Sequence, residues 1–533
     1  MPQMDPITLT FGGGISSRKR VHDINLDECV SGQNFELDPQ QRALGKRRAF
    51  DLAGTAPNAS EIRGFAQLIT QSDVITTLVQ AGTTVYSWDG ASTFTSVGTV
   101  SASAKLRGPK EHNSLLDDLV VITDLNKVET VKQWNGTTFT DFTHNLGGSL
   151  YAKFARVYNE RLFLGNVTSG SATPHVLLGS AVSDIDNLTT VNRPSSSLGS
   201  DVAFYIPMPD LRPINGLELA FGQFLISTTR GRLFVMEGSS AFDFEIAPFY
   251  DGSSASGDEA MVNIGNDILF GQPNHIESLG GVVEFGDVQT NDVSAPISPN
   301  IDDVGNWQMA YDKRRQKVFC FPDTQAACWV LYKSLMSPGT RQTVARLGSE
   351  QQFSPWSKYV TTHAMAMQPS TVMALVNPVT GQDAVFCGDA SGNIYLLDGE
   401  GTTDGGTADV AVIRRSGLIL VPDADIFDVR VNIDYSKLFD TTITLRFIFS
   451  GTETADATLV FTLAGATSNA VYYGGSVYYG GSIYYAASFT GRIRRTQKHT
   501  QGRGNGLQVE IECTSEGTIE IQQIEIILNA AAS

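Results

Sequence analysis

The chain has 533 residues, too many for one hydrophobic core and enough for two to four domains. Hydrophobic residues make up 41% and charged residues 18%, and 51 glycines accompany abundant Ser and Thr, a composition of short strands and tight turns and not of long charge-patterned helices. The formal net charge of −18 argues against a protein that grips nucleic acid by neutralising phosphates. Such acidity keeps a large protein soluble, and it would equally stop passing DNA from adhering; both readings stand.

Residues 1–62 read as an extended arm with too few apolar residues for a core of its own. The segment Met1 to Arg20 lacks the apolar stretch of a secretory signal. Phe11-Gly12-Gly13-Gly14-Ile15 runs into the basic triplet Arg18-Lys19-Arg20, and Lys46-Arg47-Arg48-Ala49-Phe50 follows. These triplets offer assembly contacts to phosphate or an acidic partner, or they are solvated charges that offset an acidic body.

A repeat then sets the architecture. VYSWDGASTFTSVG contains Trp88, Asp89, Gly90 and Phe94, and TVKQWNGTTFTDF contains Trp134, Asn135, Gly136 and Phe139. Asp-Gly and Asn-Gly between alternating apolar residues signal hairpins, with positive φ at both central positions in a type I′ turn. The tryptophans lie 46 residues apart, within the roughly 40–50 residues of a propeller blade. Strands around Val74–Gln80, Thr83–Trp88 and Phe94–Val97 form one unit; Leu119–Thr123, Val128–Trp134 and Thr138–Phe142 form the next. Looser units begin near Phe154, Phe224, Met261, Trp307 and Val372. The expected fold is all-β: a β-propeller of six or seven blades over residues 63–400, with an array of β-sandwiches as the competing architecture. The paired Trp and Phe are expected to pack across strands or between blades.

Around residue 400, LLDGEGTTDGGTADV reads as a linker. Its Asp398, Asp404 and Asp409 lack the alternating ligands and distal Glu of a calcium loop. Residues 401–533 alternate apolar and polar, as in Val429–Ile433 and Thr442–Ile448, and are assigned to a C-terminal β-sandwich. Within them, VYYGGS, VYYGGS and IYYAAS place Tyr472, Tyr478 and Tyr484 six residues apart. That segment is either a projecting contact loop, which makes these tyrosines further candidate assembly residues, or an ordinary strand and turn.

No chemistry stands out. Cys29, Cys320, Cys328, Cys387 and Cys513 are scattered, and none of the seven histidines lies at metal-ligand spacing from another His or a Cys. No nucleophile elbow, phosphate loop or dinucleotide fingerprint appears. Ser87-Trp88-Asp89-Gly90 departs from the sialidase Asp-box, and the second copy has Gln133 in place of Ser. The expectation is a non-enzyme with no catalytic residues, no metal and no cofactor, and no apolar run of about 18 residues to span a membrane.

In order along the chain, Phe11-Gly-Gly-Gly-Ile15, Asn34, Lys46 to Phe50, Asn159-Glu160-Arg161-Leu162-Phe163, Phe224 to Phe234, Ala260 to Phe270 and Asp389 to Asp398 resemble the tail nozzle, or tail hub, proteins of short-tailed bacteriophages, which include packaged-DNA stabilisation proteins. Ala49 stands where that family usually has Gly. The resemblance implies a virion protein assembled in the host cytoplasm as a ring, a homohexamer, below the portal and adaptor. Its lumen would carry genome DNA without sequence-specific binding and help retain and then release it. A receptor-binding propeller adhesin is the alternative, and a glycan hydrolase a more distant one.

Overall fold

The computed structural model describes residues 6–530 except 21–22, 39–42, 109–117, 189–201, 221, 231, 252–253, 266, 280–290, 337–341, 344–349, 352–353, 364, 366, 402, 407, 421–423, 437–440, 450–456, 464–487, 497–505 and 516–518. Among these residues there is no α-helix, and short 3₁₀ turns such as Ala295–Asn300 and Lys333–Leu335 interrupt the strands. An all-β chain follows from its period-two alternation. Thr441–Phe449 buries Ile443, Leu445 and Phe447 in turn, for example.

Seven consecutive antiparallel units, each with four strands in series, make a β-propeller. Blade 1 runs from Ile62–Ile69 to Phe94–Thr99, blade 2 from Leu106–Arg107 to Phe139–Asp141, and blade 3 from Phe154–Tyr158 to Phe204–Pro207. Blade 4 runs from Ile214–Ala220 to Glu245–Asp251, blade 5 from Met261–Asn263 to Asn291–Asp292, and blade 6 from Trp307–Asp312 to Trp356–Tyr359. Blade 7 takes three strands from Thr371–Val376, Asp383–Gly388 and Asn393–Leu396. Its fourth is Asp51–Thr55, from the other end of the chain, registered with Leu52 opposite Tyr395. The inner strands of successive blades contact one another, through Val120–Asp124 at the step from blade 2 to blade 3, and blade 7 contacts blade 1, so the circuit closes.

The repeat noted in the sequence occupies equivalent places. Trp88 and Trp134 lie in the third strands of blades 1 and 2, both buried, and pair across their hairpins with Phe94 and Phe139. Trp88 stacks on Phe94 at 6.1 Å and meets Phe386 of blade 7 edge-on at 5.4 Å, while Trp134 Nε1 donates to Thr76 Oγ1 of blade 1 at 3.2 Å. Each indole thus seals its blade against the preceding one. The turns are not type I′. Gly90 and Gly136 have φ of 88° and 92°, but Asp89 and Asn135 do not reach positive φ. Their side chains close longer loops instead: Asp89 accepts from the Ala91 and Thr93 amides, and Asn135 from those of Thr137 and Thr138.

Blade seams carry a recurring device, a polar side chain bonded to the neighbour's backbone. Gln80 Nε2 donates to Ala104 O at 2.8 Å and its Oε1 accepts from Leu106 N at 2.8 Å, joining blades 1 and 2. Thr123 reaches Lys153 O, Asn166 reaches Ile214 O, and Asn215 reaches Ala255 O, in each case bonding onward toward the next blade. The Trp307 indole donates to Gln272 O between blades 5 and 6, and Gln308 to Pro369 O between blades 6 and 7.

Two six-stranded sheets stand beside the propeller, sharing an apolar core. One contains Ile7–Leu9, Phe35–Asp38, Ala43–Lys46, Ala424–Ser436, Ser488–Thr496 and Ile519–Ala530. The other contains Cys29–Gln33, Val412–Ser416, Ile419–Leu420, Thr441–Phe449, Ala457–Leu463 and Gly506–Ser515. Residues 1–62, read from sequence as an arm, therefore supply four strands here and one to blade 7. In Ile519–Ala530 the buried positions Ile519 and Ile521 are followed by Ile524 and Ile526, because register shifts by one residue at Gln522. The bulge keeps both halves of the strand facing the core.

Asn34, at φ 59°, carries the chain from one sheet to the other, and its side chain accepts from Val360 N and Arg47 Nε. Gly14 passes so close to blade 6 that a Cβ there would collide with the Trp356 carbonyl, while Gly14 N donates to Ser354 O and Ile15 N to Trp356 O. Around them lies a buried ionic seam. Arg47 forks onto both oxygens of Asp404, at 2.8 and 2.5 Å, and Lys317 Nζ reaches Asp398 at 2.5 Å and Glu36 at 2.8 Å. Two aspartates of the segment read as a linker, Asp398 and Asp404, are buried and fasten blade 6, the segment after blade 7 and the N-terminal strands together.

Candidate ligand site on the propeller axis

First strands send some side chains toward the axis, so their polar residues decide what the centre can hold. Blades 2 and 3 contribute Lys105, Arg107, Lys153 and Arg156; Glu218 comes from the first strand of blade 4, and Asp258 and Glu259 from the approach to blade 5. These charges pair across the centre. Arg107 meets Glu259 at 2.9 Å, Lys105 also bonds Glu259, Lys153 meets Asp258 at 2.7 Å and Arg156 meets Glu218 at 3.3 Å. Arg107 Nη1 further donates to Val372 O of blade 7 at 2.9 Å, so one guanidinium ties together blades 2, 5 and 7.

Burial raises the Asp258 carboxyl above its usual range, with Lys153 opposing, and burial lowers the pKa of Arg107, with Glu259 opposing. Every carboxylate in this belt has a cation. The belt borders a void of about 30 Å³, room for one water.

Beside it, toward blades 5, 6, 7 and 1, lies a cavity of about 570 Å³. Arg107 and Glu218 line both spaces and so stand between them. Its walls come from the first strands of blades 5, 6 and 7 and include Val262, Met309, Ala310, Ala374 and Leu375; Gln67 enters from blade 1. Asn263, Tyr311, Lys313, Gln316, Lys333 and Asp383 supply the remaining chemistry, with Lys313 and Gln316 exposed and the others half-buried. A polar, mostly apolar-walled cup of this size can hold a small organic molecule. Among the described residues no group of three or more His, Cys, Asp or Glu is placed to hold a metal ion.

The residues singled out from sequence lie elsewhere. Arg18, Lys19 and Arg20 are exposed near blade 5, where Arg18 N bonds Pro296 O, and Lys19 pairs with Glu28 at 2.6 Å. Lys46 donates to Ser515 O at 2.5 Å within the two-sheet unit. Arg48 is exposed and pairs with Glu400 at 2.6 Å. Arg47 must be corrected: it is fully buried, spent on Asp404, Asn34 and Val360 O, and has nothing left to offer an assembly partner. Tyr472, Tyr478 and Tyr484 lie outside the described residues. The axial charges were missed because they occur singly in strands tens of residues apart. The one available signal was a charged residue at an inward position of an otherwise apolar first strand, as with Glu218 in INGLELA.

No protein-family model matches the chain, and no curated protein matches it. Among solved structures it is similar to YCF48 bound to D1 peptide, at 11% identity and a TM-score of 0.38, over 66% of this chain and 97% of that one. It is also similar to the WD40 domain of Toxoplasma gondii coronin, at 10% identity and TM-score 0.36, covering 69% and 86%. A third is a catalytically inactive virginiamycin B lyase from Staphylococcus aureus with quinupristin, at 10% identity and TM-score 0.36, covering 64% and 97%.

Proposed function

We propose that this chain is a structural virion protein, a subunit of the tail nozzle or hub ring of a short-tailed bacteriophage. The observation that carries the reading is the way both chain ends are built into one body. Strand Asp51–Thr55 closes the propeller, four strands before it join the C-terminal sheets, and Lys317 of blade 6 locks the two parts by pairing with Glu36 of the sheets, beside the buried Arg47–Asp404 pair. A body fastened in this way keeps its outer faces at fixed angles, which a closed ring of head-to-tail contacts requires. The net charge of −18 suits a lumen through which DNA moves without sticking. The partners are other copies, six to a ring, the portal–adaptor ring above, and genome DNA held and then released.

Native mass spectrometry and cryo-EM of the purified chain, together with maps of intact particles, test this. Closed rings and density below the portal are expected. A chain that stays monomeric at high concentration and is missing from particles overturns the reading. The 570 Å³ axial cup favours a second reading, a receptor-binding propeller, which a glycan or peptide array would reveal as tight binding by the monomer.

A further inference from the structure

We propose that the axial cup is a binding site for a small organic carboxylate with an apolar body, a role independent of ring assembly. Its walls fix the body. Met309, Ala310, Ala374 and Leu375 present apolar surface on blades 6 and 7, and the cup's volume of about 570 Å³ falls in the range of small-molecule sites. Its charges fix the head. Next to the smaller void, Arg107 is answered by Glu259 and Glu218 by Arg156, so these charges cancel in pairs. Elsewhere the lining itself holds two lysines, Lys313 and Lys333, and one carboxylate, Asp383, while Lys333 also acts on Asp267, which is buried outside the lining. An anion is therefore favoured over a cation or a neutral molecule.

Lys333 is also held ready. Its Nζ donates to Ile264 O at 2.5 Å and lies 5.5 Å from the centre of the Tyr311 ring, which leaves two of its three N–H donors for a ligand. An ammonium already fixed loses little freedom when the ligand arrives. The carboxylate is held between Lys333 and Lys313, and the apolar body lies against Met309, Ala310, Ala374 and Leu375, bounded by the paired Arg107 and Glu218.

The test uses the full chain and ligand-observed NMR with isothermal titration. The probes are 3-phenylpropionate, the neutral 3-phenylpropan-1-ol, the cation 3-phenylpropylamine, and acetate. Binding of 3-phenylpropionate is expected at least tenfold tighter than that of the alcohol, with the amine and acetate weaker still. Lys333→Met is expected to weaken 3-phenylpropionate about tenfold, the worth of one charge-assisted hydrogen bond. Lys313→Gln, an exposed substitution that leaves the fold alone, is expected to weaken it several-fold, and neither variant should change affinity for the alcohol. Equal affinity for acid and alcohol, no binding of any probe at millimolar concentration, or unchanged acid binding in Lys313→Gln and Lys333→Met overturns the proposal.

Discussion

Gln67 of blade 1 grips both backbone groups of Val376 in blade 7: its Nε2 donates to the carbonyl at 2.7 Å and its Oε1 accepts from the amide at 2.9 Å. The side chain imitates one rung of a sheet ladder across the seam where the two ends of the propeller meet. A third bond to Thr77 Oγ1, at 2.9 Å, fixes the carboxamide's orientation. The closure therefore rests on a side-chain clamp at the axis as well as on the strand Asp51–Thr55 at the rim.

Gln67→Leu keeps the volume but strands a buried amide and a buried carbonyl, and is expected to cost about 2–4 kcal/mol by denaturant unfolding. Gln67→Glu is the sharper test. The ionised carboxylate would still accept from Val376 N but would repel Val376 O, and only its protonated form can donate. Its stability relative to wild type should therefore improve as pH falls from 7 to 4. A deficit that does not change with pH would show that Val376 O is satisfied in another way.

The Lys317 seam predicts its own pH profile. Burial pushes the Glu36 carboxyl up, but Lys317 outweighs it and holds Glu36 below its usual range; burial likewise disfavours the Lys317 charge, but Asp398 and Glu36 raise its pKa above the ordinary value. The Glu36 contribution is complete above its unfolded pKa of about 4.3 and is lost as pH falls through the lower folded value. The Lys317 contribution is complete below about 10.4 and is lost only as pH rises through its higher folded value. Lys317→Met should cost about 3–5 kcal/mol at pH 7, where Glu36 loses its buried cation and Asp398 keeps only Arg315 at 3.6 Å, and less near pH 3, where Glu36 takes up a proton. Equal losses at both pH values in thermal melts would refute the ionic account.

Arg47 and Asp404 should behave as a unit. Arg47→Met alone leaves a buried carboxylate without its fork and is expected to cost about 3–5 kcal/mol. Adding Asp404→Leu should recover much of that, because no charge is then left unpaired. The Phe50 amide, which also donates to Asp404, limits the recovery. A double variant less stable than either single one in urea titration contradicts this coupling.

All five cysteines are buried and free. Burial pushes the Cys29 thiol up to about 11 and that of Cys513 to about 12, and it raises Cys320, Cys328 and Cys387 as well. A disulfide reagent at pH 8 should release almost nothing from the native protein and five equivalents after denaturation. Rapid reaction of any thiol in the native state would place it on a local opening pathway.

The sequence by itself determined the local events. Alternation laid down the strands, Asp89 and Asn135 ended them, and the 46-residue interval between Trp88 and Trp134 announced a repeating unit. Alternation and turns depend on residues a few positions apart, where backbone sterics and side-chain period act alone, and the interval is the recurrence of one such local pattern. The tertiary structure decided which distant strands share a sheet. It placed Asp51–Thr55 on blade 7 and the first strands beside the last, buried Arg47 against a linker aspartate, and gathered Arg107, Glu218 and Glu259 on one axis. Those partners are chosen by the closure of a seven-membered circuit, and no local period records where a circuit closes.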